Sequence, residues 1–219
     1  MNHELNQQPW KTYQKIQSQT NNLMDMSPNE KLWWLLRKAQ AENLLYLFDS
    51  FQQTVKEAQL SINEKPPARI SINFTIFRGI ILQRQGKYKE AQNVLKKAQQ
   101  VAIEHKYTGL AVKARLELAY TRSLTELYEP SLTDLQQAYV EAFALDNDFL
   151  VAKINEVYGA IYGYLHDYAQ SIEYYQKALT SYQQLGYPAH EVEAIYGLAV
   201  TYRYWEKYDL ALDYYYRFQ

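Results

Sequence analysis

Apolar side chains along this chain return at helical spacing, and the helices they predict come in pairs. Residues 151–179, VAKINEVYGAIYGYLHDYAQSIEYYQKAL, read as two amphipathic helices joined by a tight turn at His166 and Asp167. The pattern repeats on both sides of this stretch. Tyr168 has counterparts at Tyr88, Tyr128 and Tyr208, each 40 residues from the next, and Ala178 has counterparts at Ala58, Ala98 and Ala138. Gly159 is matched by Ala39, Gly79, Ala119 and Ala199. A fixed period of this length is the mark of stacked supersecondary units, each burying its apolar face against its neighbours.

Taken in order, residues 8–24 predict an amphipathic helix with Trp10, Tyr13, Ile16 and Leu23 on one face. Ser27-Pro28-Asn29-Glu30 is a helix start: serine caps, proline fits the first turn and glutamate completes a capping box. The helix it opens carries Leu32, Leu35, Leu36 and Ala39, and its partner runs from about Asp49 with Phe51, Val55 and Ala58. Pro66-Pro67 breaks the chain without breaking the 40-residue register. The chain therefore reads as an N-terminal helix (1–27) packed on a repeat array (28–219). The array holds pairs at about 28–62, 69–105, 109–146, 149–185 and 190–219. The last pair stops inside a helical pattern, so an apolar edge after Phe218 is expected, and with it an artificial association of two copies of this fragment. No strand pattern competes with the helical one.

Small residues mark where paired helices approach: Gly159 on one helix, Ser171 and Ala178 on the next. Tyr162, Tyr168 and Tyr175 are expected to fill the holes between pairs, with Tyr168 buried. Truncating a buried ring there would cost about 3–5 kcal/mol, and enlarging Ala178 to leucine about 1–3 kcal/mol.

Composition narrows the chemistry. A chain 47% hydrophobic and 21% charged is that of a folded, water-compatible protein. Its net charge of −1 offers no long-range attraction to nucleic acid or anionic lipid. The absence of cysteine excludes disulfides, thiolate zinc sites and cysteine nucleophiles, and leaves the compartment open. No apolar run approaches the ~18 residues of a membrane span, and residues 1–10 have no signal-peptide core. His3, His105, His166 and His190 lack metal-site spacing and read as solvated loop or helix-end residues. Gly159 and Gly163 form a GxxxG explained by helix packing, and Asn73-Phe74-Thr75, a glycosylation match, falls on a helix. No catalytic set, cofactor or metal is expected.

The pairs resemble tetratricopeptide repeats. That motif is carried by Gly159, Tyr168, Ser171 and Ala178, then by Ala199, Tyr208 and Ala211. Departures are Phe218 where alanine is expected, His166 and Glu206 in place of a turn glycine, and a period longer than the usual ~34 residues. The resemblance implies an all-α fold, a right-handed superhelix of antiparallel helix pairs whose first helices line a concave face. Carrying the family's groove positions across selects Asn73, Phe77 and Arg84, then Lys113, Glu117 and Tyr120. Lys153, Glu156, Ala160 and Tyr164 follow, with Glu193, Tyr196, Val200, Arg203 and Tyr204. Tyrosine and arginine dominate binding hot spots, and the chain has 22 tyrosines.

The run AIYGLAVTYRYWEKYDLALDYY, with the stretch before it, is similar to sensory repeat regions that precede a membrane span and a GGDEF diguanylate cyclase domain in bacteria. This resemblance implies a non-enzymatic regulatory module on the periplasmic side, or alternatively in the cytoplasm, with catalysis outside the chain. The expected partner is a peptide or protein segment in the groove, without nucleic acid or membrane insertion. Sensing of a small ligand and a purely structural, dimerising role stay open beside it. An intracellular peptide-pheromone receptor would call for a DNA-binding or phosphatase element that the sequence does not display.

Overall fold

The computed structural model describes residues 9–18, 26–61 and 66–217. Among the described residues are eleven helices and no strand. They are α1 (Pro9–Ser18), α2 (Pro28–Leu44), α3 (Phe48–Leu60), α4 (Ala68–Arg84), α5 (Tyr88–Glu104), α6 (Thr108–Ser123), α7 (Tyr128–Ala144), α8 (Asp148–Tyr164), α9 (Tyr168–Leu185), α10 (Pro188–Tyr204) and α11 (Tyr208–Tyr216). The chain divides into two compact units, residues 1–117 and 118–219, with the division inside α6. The expected 8–24 helix is seen over Pro9–Ser18, and its Leu23 lies outside the described residues. Phe218 lies outside them too.

Helix length is set by the turns. Gly86, Lys106, Glu126, Asp146, His166, Gly186 and Glu206 all have positive φ, one every 20 residues, and Tyr46 lies two steps before the first. Each ends its helix by folding the following N–H back onto a carbonyl five residues earlier. Lys87 N donates to the Leu82 carbonyl at 2.9 Å, Asp167 N to Tyr162 at 2.9 Å and Lys207 N to Tyr202 at 2.9 Å. This closure satisfies carbonyls that the helix would otherwise leave unpaired. His166 and Glu206 thus do the work of the missing glycines while bearing the ~1–2 kcal/mol that a side chain costs in this conformation.

In the first unit, Ser27 and Glu30 form the capping box. Ser27 Oγ donates to Glu30 Oε2 at 2.6 Å and the Ser27 backbone N–H to the same oxygen at 2.9 Å, and these bonds hold the carboxyl below its usual range. Tyr13 of α1 packs with Ala41, Leu44, Leu45 and Leu47. Phe51, Phe74 and Phe77 meet edge to face at 5.3 and 6.0 Å, and Leu95 fills the space opposite Gly79.

In the second unit, positions twelve apart tie each hairpin. Ser131 Oγ donates to the Ala119 carbonyl at 2.6 Å, and Ser171 Oγ to the Gly159 carbonyl at 2.8 Å. A second twelve-apart pair is an ion pair in one hairpin, Arg122 with Asp134, and stacked tyrosines in the next two. Tyr162 and Tyr174 stack at 5.4 Å and 4°, and Tyr202 and Tyr214 at 5.5 Å and 17°. Tyr162 therefore packs within its own hairpin rather than between pairs. Tyr158 joins this stack, and burial among phenols pushes its hydroxyl up to about 12.

Tyr175 does bridge pairs. A Cβ added to Gly159 would lie 2.8 Å from its ring, and one added to Gly197 would lie 2.3 Å away. The ring thus passes between α8 and α10 in space that only two glycines leave. Tyr168, expected to be buried, is half-buried instead: it lies at the turn, bonded to His166 Nδ1 at 2.8 Å and tilted against Trp205 at 6.2 Å.

Candidate functional site

The expected groove residues of the first unit do not form an open surface. Phe77 is fully buried in the phenylalanine cluster and belongs to the core, because its turn of α4 faces α3. Asn73 is buried as well, and its amide donates to the Arg69 carbonyl at 2.7 Å. Arg84 is exposed but stacks on the Phe48 ring at 3.4 Å and reaches Asn43 Oδ1 at 3.4 Å. Lys113 sits 5.0 Å over the Phe77 ring, and burial holds its amine below the ordinary lysine range while Glu117 opposes that shift. Glu117 is half-buried beside it.

The second unit brings its candidates together. Tyr175 enters between Gly159 and Gly197, and its phenol stands near Glu156, Tyr164, Tyr120 and Glu193. Burial is the main cause that pushes this phenol far above its ordinary range, and those neighbours push in the same direction. It is therefore a hydrogen-bond donor at any physiological pH. Around it, Glu156 is fixed twice: Lys153 Nζ donates to Oε1 at 2.8 Å, and Tyr182 OH donates to Oε2 at 2.7 Å. Charge-assisted bonds of this length hold a carboxylate in one orientation.

Exposed rings flank this polar centre. Tyr164 is 48% exposed and stacks on Tyr128 at 6.2 Å; Tyr196 is 52% exposed and meets Tyr215 edge-on at 6.5 Å. Arg203 and Tyr204 are exposed at the end of α10, with the guanidinium 4.9 Å from the ring. Ala160 and Val200, half-buried, occupy the equivalent positions of α8 and α10. The arrangement offers one fixed carboxylate, Glu156, a buried phenol beside it and exposed ring faces on Tyr164 and Tyr196.

Beneath Glu156 lies a residue the sequence reading assigned to solvent. His190 is 6% exposed, stacked on Tyr182 at 5.1 Å and tilted against Phe149 at 5.2 Å, and neither ring nitrogen has a hydrogen-bond partner. Burial first, and then the charge of Lys153, push it down to about 3, so the ring is neutral. Its position at the start of α10 looks exposed in one dimension. The preceding turn at Gly186 and Tyr187 folds it inward. The roles of Tyr175 and Tyr182 beside Glu156 were also missed, since tyrosine at a packing position carries no mark of where its hydroxyl ends up.

Among the described residues no group of three or more His, Asp or Glu side chains could hold a metal ion, and no helix is long and apolar enough to cross a membrane.

Residues 150–217, which contain α9, α10, α11 and most of α8, match the tetratricopeptide repeat family. No curated protein matches the chain. Among solved structures the chain is similar to BtubC (BKLC) from P. vanneervenii, at 15% identity and a TM-score of 0.63, over 95% of this chain and 86% of that one. It is also similar to a Rap protein complexed with Competence and Sporulation Factor, at 16% identity and a TM-score of 0.80, over 93% of this chain and 57% of that one. The apo form of RapI matches at 14% identity and a TM-score of 0.57, over 94% and 57%. The chain thus spans a little over half the length of the two Rap structures. At these identities the likeness is one of fold: tetratricopeptide-like helical repeats.

Proposed function

We propose that the second unit is a non-enzymatic recognition module, and that the face built by α8 and α10 takes a peptide or extended protein segment bearing a basic residue. The observation that carries this reading is the surrounding of the Tyr175 phenol: two carboxylates, Glu156 and Glu193, near a buried donor, with Tyr164 and Tyr196 exposed on α8 and α10. Backbone amides and carbonyls of an extended segment would find partners among these polar groups, and its side chains would rest on the rings. A cationic side chain would meet both carboxylates and aromatic faces. The Rap structure bound to Competence and Sporulation Factor supports the reading by its fold alone.

Within a longer protein, the resemblance of the last two repeats to sensory regions supports a finer reading. The module would be the regulatory part of a membrane-bound diguanylate cyclase, on the periplasmic side, with occupancy of this face as its input. The full reading frame tests that context directly: a membrane span and a GGDEF domain after residue 219 support it, and their absence removes it.

Selection of the 219-residue chain against displayed random heptapeptides tests the face itself. Sequences bearing lysine or arginine beside an apolar residue are expected. Tyr164→Ala, Tyr196→Ala and Arg203→Ala should each weaken a selected peptide by about tenfold, some 1.4 kcal/mol, with unchanged helicity and melting. Selected peptides indifferent to all three substitutions would remove the face from consideration.

A further inference from the structure

The 23 basic and 24 acidic residues are unevenly shared. Residues 1–117 carry 17 Lys and Arg against 10 Asp and Glu, whereas residues 118–219 carry 6 against 14. A net charge of −1 is thus the sum of a basic unit and an acidic one. Of the basic unit's surplus of seven (17 − 10), α5 and its two turns hold three, all of it from lysine. Lys87, Lys89, Lys96, Lys97 and Lys106 are all exposed there, against Glu90 and Glu104. Glu104 already accepts from Gln100 Nε2 at 3.0 Å. None of the five lysines forms an ion pair among the described residues.

The helix geometry lines these charges up. α5 buries Ala91, Leu95, Ala98 and Ala102, which turns Lys89, Lys96 and Lys97, seven and eight positions apart, onto the outward stripe. From Lys89 to Lys97 the stripe runs along about 12 Å of helix. At its C-terminal end Ile103 is 55% exposed and Tyr107 is 37% exposed. No other second helix of a pair is comparable: α7 has no basic residue, and α9 pairs its one lysine, Lys177, with Glu173 at 2.6 Å.

We propose that the outer face of α5 is a separate docking surface for an acidic protein segment carrying an apolar residue. The cations are all lysines, compact point charges that suit scattered carboxylates, rather than arginine forks that suit phosphate. No aromatic residue lies between Lys89 and Lys97 for bases to stack on. The exposed Ile103 and Tyr107 supply the apolar contact that a solvated charge stripe does not need. The charge pattern also orients the molecule: an acidic partner is drawn to the first unit and repelled by the second.

The test uses the whole 219-residue chain and a labelled 15-residue polyglutamate peptide with one central phenylalanine, followed by fluorescence anisotropy at about 50 mM salt, where charges are weakly screened. A glutamine version of that peptide and a 15-nucleotide oligouridine are the comparison probes. The triple variant K89E/K96E/K97E should lose about tenfold or more in affinity for the acidic peptide. The variant K11E/K15E/R78E, with the same change in net charge at exposed sites elsewhere in the unit, should lose no more than about threefold. Circular dichroism confirms that both fold. Equal losses in the two variants would reduce the effect to net charge and overturn the proposal. Tighter binding of oligouridine than of the acidic peptide would assign the stripe to nucleic acid. Salt-reversible growth in mass of the chain alone, abolished by the α5 variant, would assign it to a second copy.

Discussion

Tyr175 joins the packing of α8 and α10 to the candidate face. Its ring needs the absence of Cβ at Gly159 and Gly197, and its phenol feels the charges of Glu156 and Glu193. Gly197→Ala would force the ring to move and should cost about 1–3 kcal/mol. The same substitution made in a Tyr175→Ala background should cost distinctly less, and denaturant melts of the four proteins measure this coupling. His190 sets a second residue-scale expectation. Its folded value of about 3 lies below the unfolded value, so the unfolded chain takes up a proton first as pH falls. Stability from this group is complete above about pH 6.5 and lost progressively toward pH 3, by about 1.4 kcal/mol per unit. His190→Phe should therefore flatten the decline between pH 7 and pH 5 by about 2 kcal/mol, followed by thermal melts across that range. The place of Tyr175 between pairs was legible in the sequence, and the burial of His190 was not. A histidine two residues after a proline at a helix start, followed by two glutamates, has the local signature of a surface residue, and only the fold of the preceding turn buries it.

At the scale of the element, the turn rule governs. Helices of 16 to 18 residues from α4 to α10 end at a positive-φ residue every 20 positions. The sequence announces this through the 40-residue return of tyrosine and alanine, since both are tied to the same place after the turn. It did not announce that each 40-residue repeat is two equal halves, because Lys106 and Glu126 are not residues that mark a left-handed turn. Gly86 separates conformation from packing: a Cβ there would touch nothing within 4 Å, yet φ is 72°. Gly86→Ala should cost about 1–2 kcal/mol by backbone strain alone, whereas Gly109→Ala, equally uncrowded but at ordinary φ within α6, should not destabilise. Paired denaturation curves distinguish the two. The hairpin seam taught a different lesson. Arg122 with Asp134 and Tyr162 with Tyr174 occupy equivalent places, so that place requires only a complementary pair. A search for recurring residue types passes over it.

At the scale of the whole molecule, helical class and repeat step were readable because they rest on periodicity, which survives substitution. The candidate face was only half readable. Selecting groove positions by register placed Glu156, Tyr164, Tyr196 and Arg203 on the candidate face, yet it also chose Phe77, which the core of the first unit claims. Register identifies a helix face; it does not say whether a neighbouring helix already covers it. Charge misled in another way, since a total of −1 averages a basic unit with an acidic one. The separation carries a functional consequence: the two units are suited to partners of opposite charge. The most direct measurement of the recognition claim is an NMR titration of the isotopically labelled chain with a selected basic heptapeptide. The account predicts shifts gathered on Glu156, Tyr164, Tyr175, Glu193 and Tyr196, with α5 and α7 unchanged. Shifts gathered instead on α7, on α11 or on the exposed residues Glu173 and Lys177 of α9 would contradict it.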